Sequence, residues 1–130
     1  MKTMLAALLV MTTAAHAQDA VPTEVTTLGT ATVTLHLHGF LTAEELTVLR
    51  LVAKDTNALA LFVPTGEGFA AMAACPDDGF IRGSAPVPGA VALSGQQDAE
   101  TARTDALAAC ERAKQGQAAC VIVLEVAPAQ

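Results

Sequence analysis

The stretch from Thr30 to His38 does most to narrow what this chain can fold into. Val33, Leu35 and Leu37 alternate there with Thr32, Thr34, His36 and His38. Period-two patterning with β-branched residues specifies a strand with one dry face and one wet face. Such strands belong to antiparallel sheets with one face packed on a core and the other solvated. A helix signal follows at once. Gly39 breaks the strand, and Thr42-Ala43-Glu44-Glu45 reads as a capping box, flanked by Leu41 and Leu46 as a hydrophobic staple. Leu46, Leu49, Val52 and Ala53 recur at helical spacing, Lys54 suits the negative end of the dipole, and Asp55-Thr56-Asn57 ends the helix.

Ala58 to Val63 is an apolar run of strand length. With a turn at residues 64–68, it predicts a hairpin onto Phe69–Ala74. Residues 75–89 carry Pro76, Gly79, Gly83, Pro86, Pro88 and Gly89, so regular structure is disfavoured there. A short strand is expected at Ala90–Leu93. A second helix, capped by Ser94 or Asp98, runs to Gln115 with Gly116 as its C-cap. Its narrow face is Ala99, Ala102, Ala106, Ala109, Cys110 and Ala113. Cys120–Val126 closes the chain as a nearly continuous apolar strand, broken by Glu125. The expected fold is α+β, a small βαββαβ two-layer sandwich, an antiparallel sheet with two helices on one face, in the element order of the split βαβ. It occupies residues 30–127, after a leader at 18–29 that is unstructured or a frayed edge strand, and before a tail at 128–130.

The N-terminus reads as an export signal. Lys2 supplies the cation, residues 4–15 a short apolar core, and Ala15-His16-Ala17 the small-x-small cleavage site. The apolar core falls short of the roughly 20 residues that span a bilayer. No second long apolar run follows, so stable membrane insertion after cleavage is not expected. Periplasmic or secreted location is the expectation. The full chain carries a net charge of −6, and losing Lys2 makes the remainder more acidic still. An acidic chain without Trp or Tyr repels phosphate backbones and offers little to stack on bases, which excludes nucleic acid as a partner.

The segment Asp105-Ala106-Leu107-Ala108-Ala109-Cys110, followed nine residues later by Cys120-Val121-Ile122-Val123, resembles a feature of an uncharacterised family of small exported bacterial proteins. In that family an Ala-rich helix ends in Ala-Leu-x-x-Cys and a second Cys opens a hydrophobic strand. Leu59-Ala60-Leu61-Phe62-Val63 and Gly68-Phe69-Ala70-Ala71-Met72 resemble the hairpin that precedes the helix there. The resemblance covers the second half of the mature chain and departs from the pattern in residues 75–89. Some family members carry the name 5-aminolevulinate synthase. That chemistry needs a Schiff-base lysine and a phosphate cradle for pyridoxal phosphate. After the export signal this chain has only Lys54 and Lys114, each at a predicted helix C-terminus, so the synthase reading is chemically unsupported and no cofactor is expected.

Export to an oxidising compartment favours a bridge between Cys110 and Cys120, whose loop reverses at Gly116. Three cysteines allow three single bridges, and Cys75 is then a free thiol or a link to a second copy. The spacing is not Cys-x-x-Cys, so a structural staple is favoured over a redox pair. His36 and His38, two apart in a strand, share a face and form a candidate metal pair. Asp77-Asp78-Gly79 lacks the spaced carboxylates of a calcium loop and reads as a solvated turn. Ser84 and Ser94 lie in no nucleophile pattern. No catalytic residue is assigned. The expected function is a non-enzymatic exported domain that binds a protein, an envelope component or a small ligand. Metal binding through His36 and His38 is the alternative.

Overall fold

The computed structural model of the chain describes residues 21–63 and 67–128. The expected cleavage site at Ala15 and Ala17 and residues 64–66 of the expected 64–68 turn lie outside them. The elements are β1 (Thr23–Leu28), β2 (Ala31–His36), α1 (Ala43–Lys54), α2 (Thr56–Phe62), β3 (Phe69–Ala74), β4 (Ile81–Arg82), β5 (Ala85–Pro86), β6 (Val91–Gln96), α3 (Ala99–Ala113) and β7 (Val121–Pro128). Five strands form one antiparallel sheet in the order β1-β2-β7-β3-β6, and β4 pairs with β5 in a separate ribbon. The chain is therefore a small mixed α+β sandwich built on an antiparallel sheet.

Local chemistry explains most of the elements. Thr42 accepts from the Glu45 N–H at 3.1 Å and Glu45 Oε1 accepts from the Thr42 N–H at 3.0 Å, completing the expected capping box. Residues 58–63 are where the expectation fails: 58–62 belong to α2, not to a strand, and Val63 is its C-cap. Asp55 ends α1 with its backbone N–H and starts α2 with its side chain, which accepts from the Ala58 N–H at 2.9 Å. Once that cap is set, Ala58, Leu59, Ala60 and Leu61 propagate a helix readily. The expected hairpin is absent accordingly. β3 pairs instead with β7 and β6. Within the expected leader, residues 23–28 take the edge-strand alternative, pairing in a continuous six-residue register with β2, so the sheet begins at Thr23. Asp98, not Ser94, caps α3, and Ser94 lies in β6.

The core has two halves separated by the sheet. Val33, Leu35, Leu49, Ala53, Leu59, Ala70, Met72, Leu124 and Val126 cluster together, joining α1 and α2 to one face. Ala71, Ala73, Cys75, Ala102, Ala106, Cys110 and Cys120 form the other cluster, under α3. Alternate residues of β3 thus point to different helices, as successive strand residues face opposite sides. The class is the expected one, but the helices do not share a face. Side-chain size sorts them: Leu-bearing α1 and α2 cover the Val and Leu face, while alanine-faced α3 lies on Ala71 and Ala73. The topology adds a consequence. β2 and β3 run parallel with β7 between them, and β6 and β7 run parallel with β3 between them. Two crossovers of one hand would place both helical connections on the same face, so one of these connections has the rarer left hand.

The connection from residue 75 to residue 89 is tied down along its length. Gly83 and Ser84, both at positive φ, turn the β4–β5 ribbon, and Phe80 is buried in the α1–α2 half of the core.

Candidate functional site

Three places concentrate chemistry or open space, and each is built from elements distant in sequence.

The first is a clamp on the 75–89 connection. Glu45 is the one charged residue in the described core, 1 % exposed. Beyond its capping bond, its Oε2 accepts from the Phe80 and Ile81 backbone N–H groups, the latter at 2.9 Å. The Arg82 guanidinium lies 3.7 Å from its Oε1. Burial pushes the Glu45 carboxyl up, but the N–H groups of Thr42, Ile81 and Phe80 outweigh it and hold the group below the usual glutamate value. The same connection grips the α3–β7 loop. Asp77 Oδ2 accepts from the Ala118 and Gln117 N–H groups at 2.8 and 2.9 Å, and Asp78 Oδ2 from the Gln115 N–H at 2.8 Å. Those two donors on Asp77 lower its pKa. These carboxylates are fastenings, and the Asp77–Asp78 turn is more engaged than a solvated one. Gly116 belongs to the same contact. A Cβ there would collide with the Asp77 Cβ, and the C-cap of α3 is Lys114. Gly116 serves close approach rather than helix termination.

Cys110 and Cys120 are joined by a disulfide with Cα atoms 6.2 Å apart, as expected, and Cys75 is free and fully buried. Its Sγ donates to the Ala118 carbonyl at 3.2 Å. A thiol with no exposure cannot reach a second copy while the fold is closed, so this geometry does not favour a covalent dimer through Cys75.

The second place surrounds the histidines. His36 and His38 do lie on one side, with ring centroids 6.1 Å apart. Their Nε2 atoms are already engaged, His36 with Glu125 Oε2 at 2.7 Å and His38 with the Ile122 carbonyl at 2.7 Å. Arg103 Nε lies 3.3 Å from the other Glu125 oxygen. The His36 hydrogen bond, helped by Arg103 against partial burial, lowers the Glu125 pKa. Among the described residues no group of three or more His, Cys, Asp or Glu side chains is placed to hold a metal. Sequence reasoning has no means of bringing Glu125, in a strand 89 residues on, to His36.

The lysines do not suit pyridoxal phosphate. Lys114 Nζ lies 2.6 Å from Glu111 and donates to the Ala118 carbonyl at 3.1 Å. The Glu111 contact raises its pKa, the reverse of what an amine nucleophile needs. Lys54 is exposed at the end of α1.

The third place is a cleft of about 330 Å³ at one end of the sheet. One face of α2 lines it with Thr56, Leu59 and Ala60, continued by the C-cap Val63. Leu28 and Ala31, which flank the β1–β2 turn, with Val126 and Pro128 of β7, close the other side. Its walls are mainly apolar, and its volume lies in the range of small-molecule sites. The cleft is not legible in the sequence because its wall is α2, which reads there as a strand. Among the described residues no helix is long and apolar enough to cross a membrane.

No protein-family model, curated protein or solved structure matches this chain.

Proposed function

We propose that this chain is an exported, non-enzymatic binding domain that takes a small apolar ligand, or an apolar side chain of an envelope partner, into the cleft between α2 and the β1–β2 turn. The cleft carries this reading: it is apolar, of ligand size, and walled by the i, i+3, i+4, i+7 face of a helix whose opposite side leaves Leu61 86 % exposed. Export rests on the pattern of residues 1–17, and the Cys110–Cys120 bridge supports it, since such bridges persist in oxidising compartments.

The test is a titration of the purified chain with an apolar fluorescent probe and with medium-chain fatty acids. Saturable binding is expected in the wild type. It should be lost in Ala60→Phe, which fills the cleft from an exposed helix position and leaves the circular dichroism unchanged. Absence of saturable binding, or binding untouched by Ala60→Phe, removes the proposal. Metal binding through His36 and His38 has no geometric feature in its favour beyond their shared side. Matching Zn²⁺ titration heats for wild type and a His36→Ala/His38→Ala variant would end it.

A further inference from the structure

The two edges of the sheet are not alike. At one edge, β6 is irregular: Gly95 has φ +68° and the register with β3 shifts between Phe69 and Ala71. Irregularities of this kind blunt an edge against further pairing. At the other edge, β1 is regular along all six residues, without a bulge, proline or lysine, and among the described residues no strand lies beyond it.

The direction of its free backbone groups follows from one hydrogen bond. Thr23 stands opposite His36, so Pro22 stands opposite Leu37, whose N–H donates to the Pro22 carbonyl at 2.8 Å. Antiparallel pairing alternates, so residues 24, 26 and 28 also turn their N–H and C=O groups toward β2. Those of Thr23, Val25 and Thr27 point outward from the sheet.

The outward set is symmetric about Val25. A two-fold axis perpendicular to the sheet beside Val25 would bring β1 of a second copy alongside, antiparallel. Val25 would then exchange both backbone hydrogen bonds with its counterpart, and Thr23 would meet Thr27 at either end. Glu24 would fall opposite Thr26, so no like charges would face each other along the strand. Val25 is 64 % exposed in the single chain, and its side chain would gain its counterpart as a cross-strand apolar neighbour. On the helix side, Glu24 is already paired with Arg50 at 2.7 Å, and Lys54 also acts on its charge.

We propose that two copies of this chain associate through β1, centred on Val25, to form a continuous ten-stranded sheet. The contact is isologous, the commonest arrangement of homodimers. It is built mainly of backbone hydrogen bonds, so association is modest and depends on concentration.

The test is mass measurement by light scattering together with analytical ultracentrifugation across a concentration series. Val25→Pro deletes only an outward N–H, a change that edge strands tolerate. It should keep the fold, judged by circular dichroism and thermal midpoint, while weakening self-association about tenfold or more. Val25→Lys and Val25→Glu should each be monomeric alone, because like charges then face each other across the axis, and should dimerise when mixed. A wild-type chain that stays monomeric at the highest concentrations overturns the proposal. So does a dimer that survives Val25→Pro, or variants that fail to pair on mixing.

Discussion

Two glycines show how differently the same residue can be used. Gly116 is required by contact, because any side chain would collide with Asp77 Cβ, close to the backbone of a fastened turn. Gly39 has open space where a Cβ would lie and no positive φ. Gly116→Ala is expected to destabilise by about 1–3 kcal/mol. Gly39→Ala should be neutral or stabilising by up to about 1 kcal/mol, through the unfolded chain. Urea denaturation of the two variants checks the contrast. Gly116 stands out in the sequence as a break after a helix, and a helix terminus is the natural local explanation. The true cause, Asp77, is remote. Glu45 repeats the lesson. Its capping role is legible because the partner is three residues away, and its bonds to Phe80 and Ile81 are not, because they depend on how the chain returns.

Among the elements, periodicity suffices for some and misleads for others. β2 alternates because only one of its faces is well covered, and that pattern locates it. β3 and β7 are nearly continuous in apolar residues because helices cover both faces near them, α3 on one side and the α1–α2 pair on the other. Continuous runs are the usual signature of two-sided burial, so the departure from a one-faced helical layer has a signal in the sequence. The run at residues 58–63 has none that decides between strand and helix, and the Asp55 cap settles it. The Cys110–Cys120 bridge joins α3 to the start of β7 across a short loop. Replacing both cysteines by alanine should cost about 3 kcal/mol in the loop-entropy account. Chemical denaturation of the double variant, against the oxidised wild type, measures it.

For the whole molecule, acid is the natural denaturant. Glu45, Asp77 and Glu125 all have lowered pKa values, so each binds a proton more weakly folded than unfolded. Each therefore contributes stability that is full above the ordinary carboxylate range and is lost as pH falls through the lowered native value. Unfolding free energy measured against pH should drop on acidification, and Glu45→Gln should flatten part of that drop. A profile unchanged by Glu45→Gln would contradict the clamp. The position of Cys75 carries a last consequence. Its sulfur lies beneath the Ala118 carbonyl, inside the segment that Asp77 and the disulfide hold shut. That thiol is a built-in witness to the closure: alkylating reagents meet it only when the seam between the two loops parts, and its labelling rate counts how often that happens.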